Sequence, residues 1–416
     1  MAKETRLRVL VLSDLFPNPA RPAFGIFVER QTFHLQRYSD NTVVAPVRIF
    51  PHAKLWKQFW NPQRFALEWK QWRIDLACIP RQDTLNGIPV HYQRYTSPPR
   101  QLFHGVWGIF AYLFLARKLR TLHRERPFHL IHAHYASPSG VIALLAQRWM
   151  RVPVVLSVHG SDVTYTALQN PLSAAIIRWV FRNVDAIIAN STWTARRIVS
   201  YGGSSDKVQI VHLGGDGPQG LARDSRPTAR AAICLLSVGY LERRKGHAYV
   251  LRAVRQLRDA GYALRYVIVG DGSQQQELEM LAKTLGISDI VSFEGYKSHS
   301  AVWSYFADCD IFVLPSWDEA FGLVYVEALS YGKPVVGCKG EGGPEELKAL
   351  GDAIELVNPR DVASIVQALQ GLMDHPERRR EMGEIGRQIV AKYFTWAGTA
   401  ESTFRVYQRV LERIRG

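Results

Sequence analysis

Only four cysteines occur in 416 residues. Cys78, Cys234, Cys309 and Cys338 lie far apart, with no CxxC pair, so neither a zinc cage nor a disulfide framework is expected. They read as dispersed core thiols in a reducing compartment. Long hydrophobic runs are also missing: none approaches the roughly 18 residues of a membrane span. No charged-then-apolar leader opens the chain, because MAKETR passes directly into the strand-like LRVLVLSD. The expectation is a cytosolic protein. After that opening strand, residues 7–12, the chain reads SDLFPNPARPAFGIFVERQ where a dinucleotide-binding protein shows GxGxxG, which excludes the usual oxidoreductase. No acidic DxD motif follows a strand end, and no metal or other cofactor is expected. RRM, KH and helix-turn-helix patterns are absent too, so nucleic acid is not an expected partner.

What is present is length, positive charge and alternation. The length suits two domains, each able to bury a core. A formal charge of +15 favours acidic partners such as phosphates or anionic lipid. Strand-like and helix-like stretches alternate from residue 129 onward: strands at 129–134, 153–159, 184–190 and 207–213, with helices at 137–150 and 171–182 between them. Such alternation argues for doubly wound parallel sheets. Residues 214–230, GGDGPQGLARDSRPTAR, have no apolar period and read as a linker. The pattern then restarts with strands at 232–238, 264–269 and 290–293, and closes with helices at 361–373, 376–392 and 394–415. Between residues 48 and 126 the alternation fades. That stretch carries 14 Lys and Arg against 4 acids, a local +10, and five tryptophans. Trp56, Phe59, Trp60, Phe65, Trp69 and Trp72 interleave with Lys54, Lys57, Arg64, Lys70 and Arg73. The mixture suits a lipid headgroup region, and equally a set of core aromatics beneath a solvated basic face.

The most informative stretch is residues 311–327, IFVLPSWDEAFGLVYVE. Its apolar start is a buried strand that Pro315 stops, and a helical pattern begins near Leu323. The amides of Phe321, Gly322 and Leu323 then cluster at a positive helix end close to a strand's carboxyl edge, which is a ready phosphate site. Glu319 in the loop and Glu327 in the helix can accept hydrogen bonds from sugar and ribose hydroxyls. A helix whose dipole is complemented by acids, with Glu327 on a solvated face, fits the same residues. Arg243, Arg244 and Lys245 lie between a strand end and a helix start, either to neutralise phosphate or as a solvated turn. His132, His134 and His159 fall at strand ends, and the HxH spacing puts the first two on one face. Gly25 ends a proline-stiffened loop where backbone approach to an anion and plain turn chemistry both fit.

EAFGLVYVE followed by ALSYGKPVV resembles the glutamate, seven residues, glutamate motif of the retaining, nucleotide-sugar-dependent glycosyltransferases of the group 1 (GT4-like) family. The resemblance is dense from Leu130 onward and weak between Arg48 and Arg126. It implies an α/β GT-B fold of two doubly wound Rossmann-like domains facing across a cleft, with a C-terminal helix packing back on the first. Residues 1–213, completed by 396–416, are then the acceptor-binding domain, 214–230 the linker and 231–395 the nucleotide-sugar domain. The implied reaction moves a sugar from a UDP- or GDP-linked donor to a hydroxyl with retained configuration and no metal.

The same resemblance implies individual roles. Glu319 orients sugar hydroxyls, Glu327 holds the ribose, and His159 contacts the sugar or its developing charge. Gly25 and Asp162, the latter in the HGSD segment with Gly160, face the donor. Lys245 matches the family's phosphate-binding lysine. Because Tyr240 stands where the family has arginine, Arg243 or Arg244 is expected to supply the guanidinium. The amides of Phe321, Gly322 and Leu323 join them on the diphosphate, and Tyr296 and Lys297 hold the base. The acceptor is expected to be a carbohydrate or lipid-linked molecule, such as a polyprenyl diphosphate oligosaccharide in cell-surface polysaccharide assembly. An anionic membrane surface would then be met through residues 48–126, with the protein peripheral on the membrane's inner face. Two other readings stay open: a nucleotide-sugar epimerase of this architecture, and a non-catalytic protein binding sugar nucleotides or a membrane surface.

Overall fold

A computed structural model describes residues 6–49, 60–97, 105–215, 217 and 232–415. Most of the stretch expected to be a linker, and Lys54, Trp56, Lys57 and Phe59, lie outside the described residues. The chain forms two compact units, one of Met1–Asn190, Thr194–Val211 and Trp396–Gly416, the other of Ser191–Trp193 and His212–Thr395.

The first unit is built on an eight-stranded sheet among the described residues, in the order β3-β4-β2-β1-β5-β6-β7-β8. Its strands are β1 (Leu7–Leu12), β2 (Ser39–Arg48), β3 (Gln82–Leu85), β4 (Ile88–Tyr95), β5 (Leu130–His134), β6 (Val154–Val158), β7 (Ala186–Ala189) and β8 (Val208–Ile210). All neighbours pair in parallel except β3 and β4, a hairpin turned by Asn86 and Gly87, both at positive φ. That is the two-residue turn whose twist matches the strands. β1 and β6 read as near-continuous Val and Leu because both faces are covered, which is the pattern of an inner parallel strand. Helix Trp396–Arg415 buries Ala400, Val406, Tyr407 and Val410 in this unit's core beside Val9, Val28 and Val155.

Among the described residues the second unit has a six-stranded parallel sheet in the order β11-β10-β9-β12-β13-β14. Here β9 is Ile233–Val238, β10 Leu264–Val269, β11 Val291–Phe293, β12 Ile311–Val313, β13 Val335–Cys338 and β14 Ile354–Val357. The order reverses between β9 and β12, the position at which doubly wound sheets open a crevice at their strands' carboxyl ends. Helix His247–Asp259 packs Val250, Leu251, Val254 and Leu257 on one sheet face at the i, i+1, i+4, i+7 spacing.

Where the alternation fades in sequence, the described residues form a hairpin and two helices, Pro62–Cys78 and Trp107–Glu125. The first is the unusual one, since none of its residues is buried. Its half-covered side, Phe65, Glu68, Trp72, Asp75 and Leu76, follows helical spacing but mixes apolar residues with both acids. The helix expected at 137–150 opens with a π-helical turn, Ala136–Gly140, before the α-helix Val141–Met150. The strand expected at 207–213 is only Val208–Ile210. No helix among the described residues is long and apolar enough to cross a membrane.

Candidate active site

In the second unit the loops after β9 and β12 meet at the switch point. The first is a 3₁₀ turn, Arg243–Lys245, closed by Gly246 at φ 78°. A Cβ on Gly246 would stand 2.5 Å from the Pro315 carbonyl oxygen, so glycine is what lets the two loops touch. Trp317 N donates to Arg244 O at 2.9 Å, a second tie between them.

The tie that matters chemically is ionic. Lys245 Nζ lies 2.5 Å from Glu319 Oε2, and both residues are buried. Arg244 Nη1 stands 3.8 Å from the same oxygen and its Nε 3.0 Å from Glu242. Ser316 Oγ adds a bond to Glu319 Oε2 at 3.2 Å and shares a hydrogen bond with Tyr325 OH at 2.7 Å. Burial pushes the Glu319 carboxyl up, but the charge and hydrogen bond of Lys245, with Arg244, outweigh it and hold the group below its ordinary value. Of the two arginines expected here, Arg244 is thus beside the carboxylate and Arg243 is exposed. Tyr240 is exposed as well.

Gly322, at φ 77°, begins helix Leu323–Ser330, and among the described residues no side chain caps that end. Leu323 and the residues after it lead with amides that have no partner inside the helix. Phe321 is buried against His212 and Phe394. The loop's shape is imposed from outside, since Glu319 N donates to Glu341 Oε2 at 2.7 Å and Gly342 N to Glu319 O at 2.9 Å. Burial raises the Glu341 carboxyl above its ordinary value. Glu341 therefore serves the neighbouring loop, and the amide of Gly342, the first residue of helix Gly342–Leu350, is spent there too. A Cβ on Gly343 would fall 1.5 Å from the Phe321 carbonyl oxygen.

Glu327 sits in the second turn of its helix, with His299 Nε2 3.9 Å from its Oε1. Lys297 Nζ stands 3.7 Å from Glu294, and Tyr296 is exposed. Sequence reasoning missed Ser316, Tyr325, Glu341 and His299. Ser316 and Tyr325 lie inside the informative stretch, while Glu341 carries no local signal for a partner 22 positions away.

The first unit has its own cluster at the ends of β5 and β6. His134 Nδ1 and His159 Nε2 are 3.0 Å apart, with ring planes 4° from parallel. The His132 and His134 rings share a face, 4.3 Å between centroids, as the HxH spacing requires. His132 is a core residue, held between Ser157 Oγ at 2.8 Å and Tyr407 OH at 2.7 Å. Burial drives His132 and His159 down to about 3, and His134 lower than usual as well, so all three stay neutral. The Asp162 carboxyl is pushed up to about 7 by burial, although Ala136 N donates to it at 2.7 Å. His159 Nδ1, His134 Nε2 and Asp162 Oδ2 are buried atoms with no hydrogen-bond partner. Gly25, at φ 72°, starts helix Ile26–Leu35, and the Phe27 ring then lies 4.7 Å from that of His159. Phe27, two residues beyond Gly25, is thus brought beside His159. Among the described residues no cluster of three His, Cys, Asp or Glu is arranged to hold a metal ion.

The profile of the glycosyl transferases group 1 family matches residues 222–389, and that of the glycosyl transferase 4-like domain residues 70–214. A D-inositol 3-phosphate glycosyltransferase 2 of Catenulispora acidiphila is 32% identical over 327 residues, 73% of this chain and 76% of that protein. The chain belongs to the group 1, GT4-like glycosyltransferases. A D-inositol 3-phosphate glycosyltransferase of Nocardia farcinica is similar at 31% identity, covering 73% of this chain and 72% of its own. Among solved structures, sucrose-phosphate synthase from Thermosynechococcus elongatus matches with a TM-score of 0.77 at 19% identity, over 98% of this glycosyltransferase and 100% of that chain. Anabaena HepE in complex with UDP and glucose matches at 0.71 and 18% identity, over 97% and 100%. These likenesses give the fold as GT-B.

Proposed function

We propose that this glycosyltransferase moves a sugar from a UDP- or GDP-linked donor to a hydroxyl acceptor with retention of anomeric configuration and without a metal. The observation that carries the reading is the buried Lys245–Glu319 pair, set beside Arg244 and the amide end of helix Leu323–Ser330. When the anomeric carbon parts from its phosphate oxygen, negative charge grows on the diphosphate. Lys245, Arg244 and the leading amides are preorganised donors for that charge. The new bond joins the acceptor oxygen to the anomeric carbon, and the acceptor's proton passes to the departing phosphate on the same face. Glu319, kept ionised by its cations, accepts hydrogen bonds from sugar hydroxyls, Glu327 from the ribose, and Tyr296 and Lys297 border the base. His159, neutral and with Nδ1 unpaired, serves the sugar or its developing charge, with Asp162 nearby in the HGSD loop.

The Anabaena structure that holds UDP and glucose supports a nucleotide-sugar donor. For the acceptor, the basic and aromatic character of residues 48–126 supports a lipid-linked oligosaccharide of cell-surface polysaccharide assembly. The relatives' name supports a phosphorylated cyclitol as the other acceptor to try.

Thermal-shift screening of UDP- and GDP-sugars finds the donor as the one that raises Tm. Turnover is then followed with and without acceptor. Glu319→Ala and Lys245→Met are each expected to lower kcat at least 100-fold. Epimer formation without any acceptor, or unchanged donor turnover in Glu319→Ala, overturns the transferase reading.

A further inference from the structure

A carboxylate is only as well aimed as the backbone that carries it, and both peptide groups of Glu319 are held from the turn after β13. Its N–H donates to Glu341 Oε2 at 2.7 Å, and its carbonyl oxygen accepts from Gly342 N at 2.9 Å. The Asp318 amide donates to the Glu341 carboxylate as well. Glu341 is the N-cap residue of helix Gly342–Leu350, where a polar side chain ordinarily serves its own helix. Its side chain makes no such bond. The carboxylate is turned instead to two successive amides of the loop after β12.

Asp318 stands at φ 57°, in the left-handed region that few residues other than glycine adopt. A residue persists in that conformation when its surroundings over-determine it, and such positions gather at functional sites. The chain on the other side of Asp318 is held too. The Arg360 guanidinium, from the loop between β14 and helix Val362–Asp374, lies 4.7 Å from the centre of the Trp317 ring, a cation–π contact. Tyr249 meets the same ring edge-on at 6.0 Å, and Trp317 N donates to Arg244 O at 2.9 Å. Arg360 is itself at φ 61°. A strained residue thus sits between two anchored neighbours, Trp317 and Glu319, and the loops after β13 and β14 supply the charged anchors.

We propose that Glu341 and Arg360 are positioning residues for Glu319, which lock Trp317, Asp318 and Glu319 in their strained turn so that the Glu319 carboxylate is aimed before a sugar arrives. A carboxylate on a loose loop has to be ordered each time a sugar binds. One held in advance needs no reorganisation as charge develops at the anomeric carbon. Glu341 suits the task because one carboxylate can accept from two amides, and Arg360 because a planar guanidinium lies flat on an indole. The catalytic consequence rests on the proposed role of Glu319 toward sugar hydroxyls, whereas the hold on the loop needs no substrate, so the two are tested separately.

The hold is read on the full chain, without substrate, by hydrogen–deuterium exchange. The peptide covering residues 314–323 is expected to exchange roughly 10-fold faster in Glu341→Ala than in wild type. In Glu341→Gln it should exchange near the wild-type rate, because an amide oxygen still accepts from Glu319 N. Turnover of the nucleotide sugar found by thermal shift is then measured. Glu341→Ala is expected to lower kcat roughly 10- to 100-fold, and Glu341→Gln to recover most of it. The affinity for the matching nucleoside diphosphate, which has no sugar for Glu319 to hold, should match wild type in every variant. Arg360→Ala changes an exposed side chain, so it folds whether or not Glu341→Ala does. It is expected to speed exchange of the same peptide and to lower kcat about 2- to 5-fold. Wild-type exchange of residues 314–323 in both alanine variants overturns the hold, and faster exchange with unchanged kcat overturns the positioning role. Equal losses of nucleoside diphosphate affinity and kcat also overturn it, since they place the two residues in the general stability of the unit. A protected loop in a wild-type protein that turns over no nucleotide sugar keeps the hold on Glu319 and removes the transferase reading.

Discussion

Lys245 and Glu319 come from loops 74 positions apart and meet at 2.5 Å in a buried setting. Taking away one partner leaves the other as an uncompensated buried charge, which costs about 3–5 kcal/mol. Glu319→Ala is expected to lose that much in urea denaturation, and Glu319→Gln less, because an amide still accepts from Lys245. A Glu319→Ala variant as stable as the parent would show that the pair contributes no structural tie. The sign with pH follows from the lowered carboxyl: the contribution is present above about pH 4.5 and is lost as pH falls through the still lower folded-state value. Lys245, Glu319 and the amide-bearing residues around Gly322 were legible because type and spacing survive without a fold. Which arginine stands beside Glu319 was not legible. In RRK three consecutive cations enter one tight turn, and the turn's geometry sends Arg244 toward the carboxylate while Arg243 is exposed.

At the scale of elements, the loop after β12 is a mould formed between two others. Gly246 lets the turn after β9 touch it, and Gly342 and Gly343 let the turn after β13 do the same. Gly343→Ala inserts a methyl group where the Phe321 carbonyl oxygen already stands. It should cost about 1–3 kcal/mol and displace the loop. The expected reading is a weaker donor affinity by calorimetry with the far-UV circular dichroism unchanged, and donor affinity equal to wild type would count against this close contact. The strands β9 to β12 were readable because each is a short apolar run between turn residues, whereas β14, Ile354–Val357, carries Glu355 and was not read. The element that resisted reading was helix Pro62–Cys78, whose covered side mixes Phe65, Trp72 and Leu76 with Glu68 and Asp75 and buries none of them. Periodicity reports burial, and a helix without it leaves only composition to read.

Across the whole molecule, buried histidines are unequally shared. Among the described residues burial lowers six of them: His91, His123, His132, His134 and His159 in the first unit and His247 in the second. Each is neutral when folded and takes a proton near pH 6.5 when unfolded, so stability is complete above that value and falls as pH drops toward the folded-state values. Asp162, raised to about 7, opposes this in part, because its folded form holds a proton that the unfolded chain has lost above about pH 4. With several histidines against one carboxyl, the first unit should be the acid-labile one. Scanning calorimetry from pH 7.5 to 5 is expected to show one transition moving down and separating from a second that moves less. A single transition with constant shape would contradict this asymmetry.

The return of Trp396–Gly416 to the first unit has a consequence for synthesis. Chains made from the amino end usually complete their first domain first. Here every residue of the second unit has left the ribosome before the first unit receives Ala400, Val406, Tyr407 and Val410, or the hydroxyl that reaches His132. The domain that starts first is completed after the second, and during elongation its sheet waits for a helix encoded beyond the whole of the second unit.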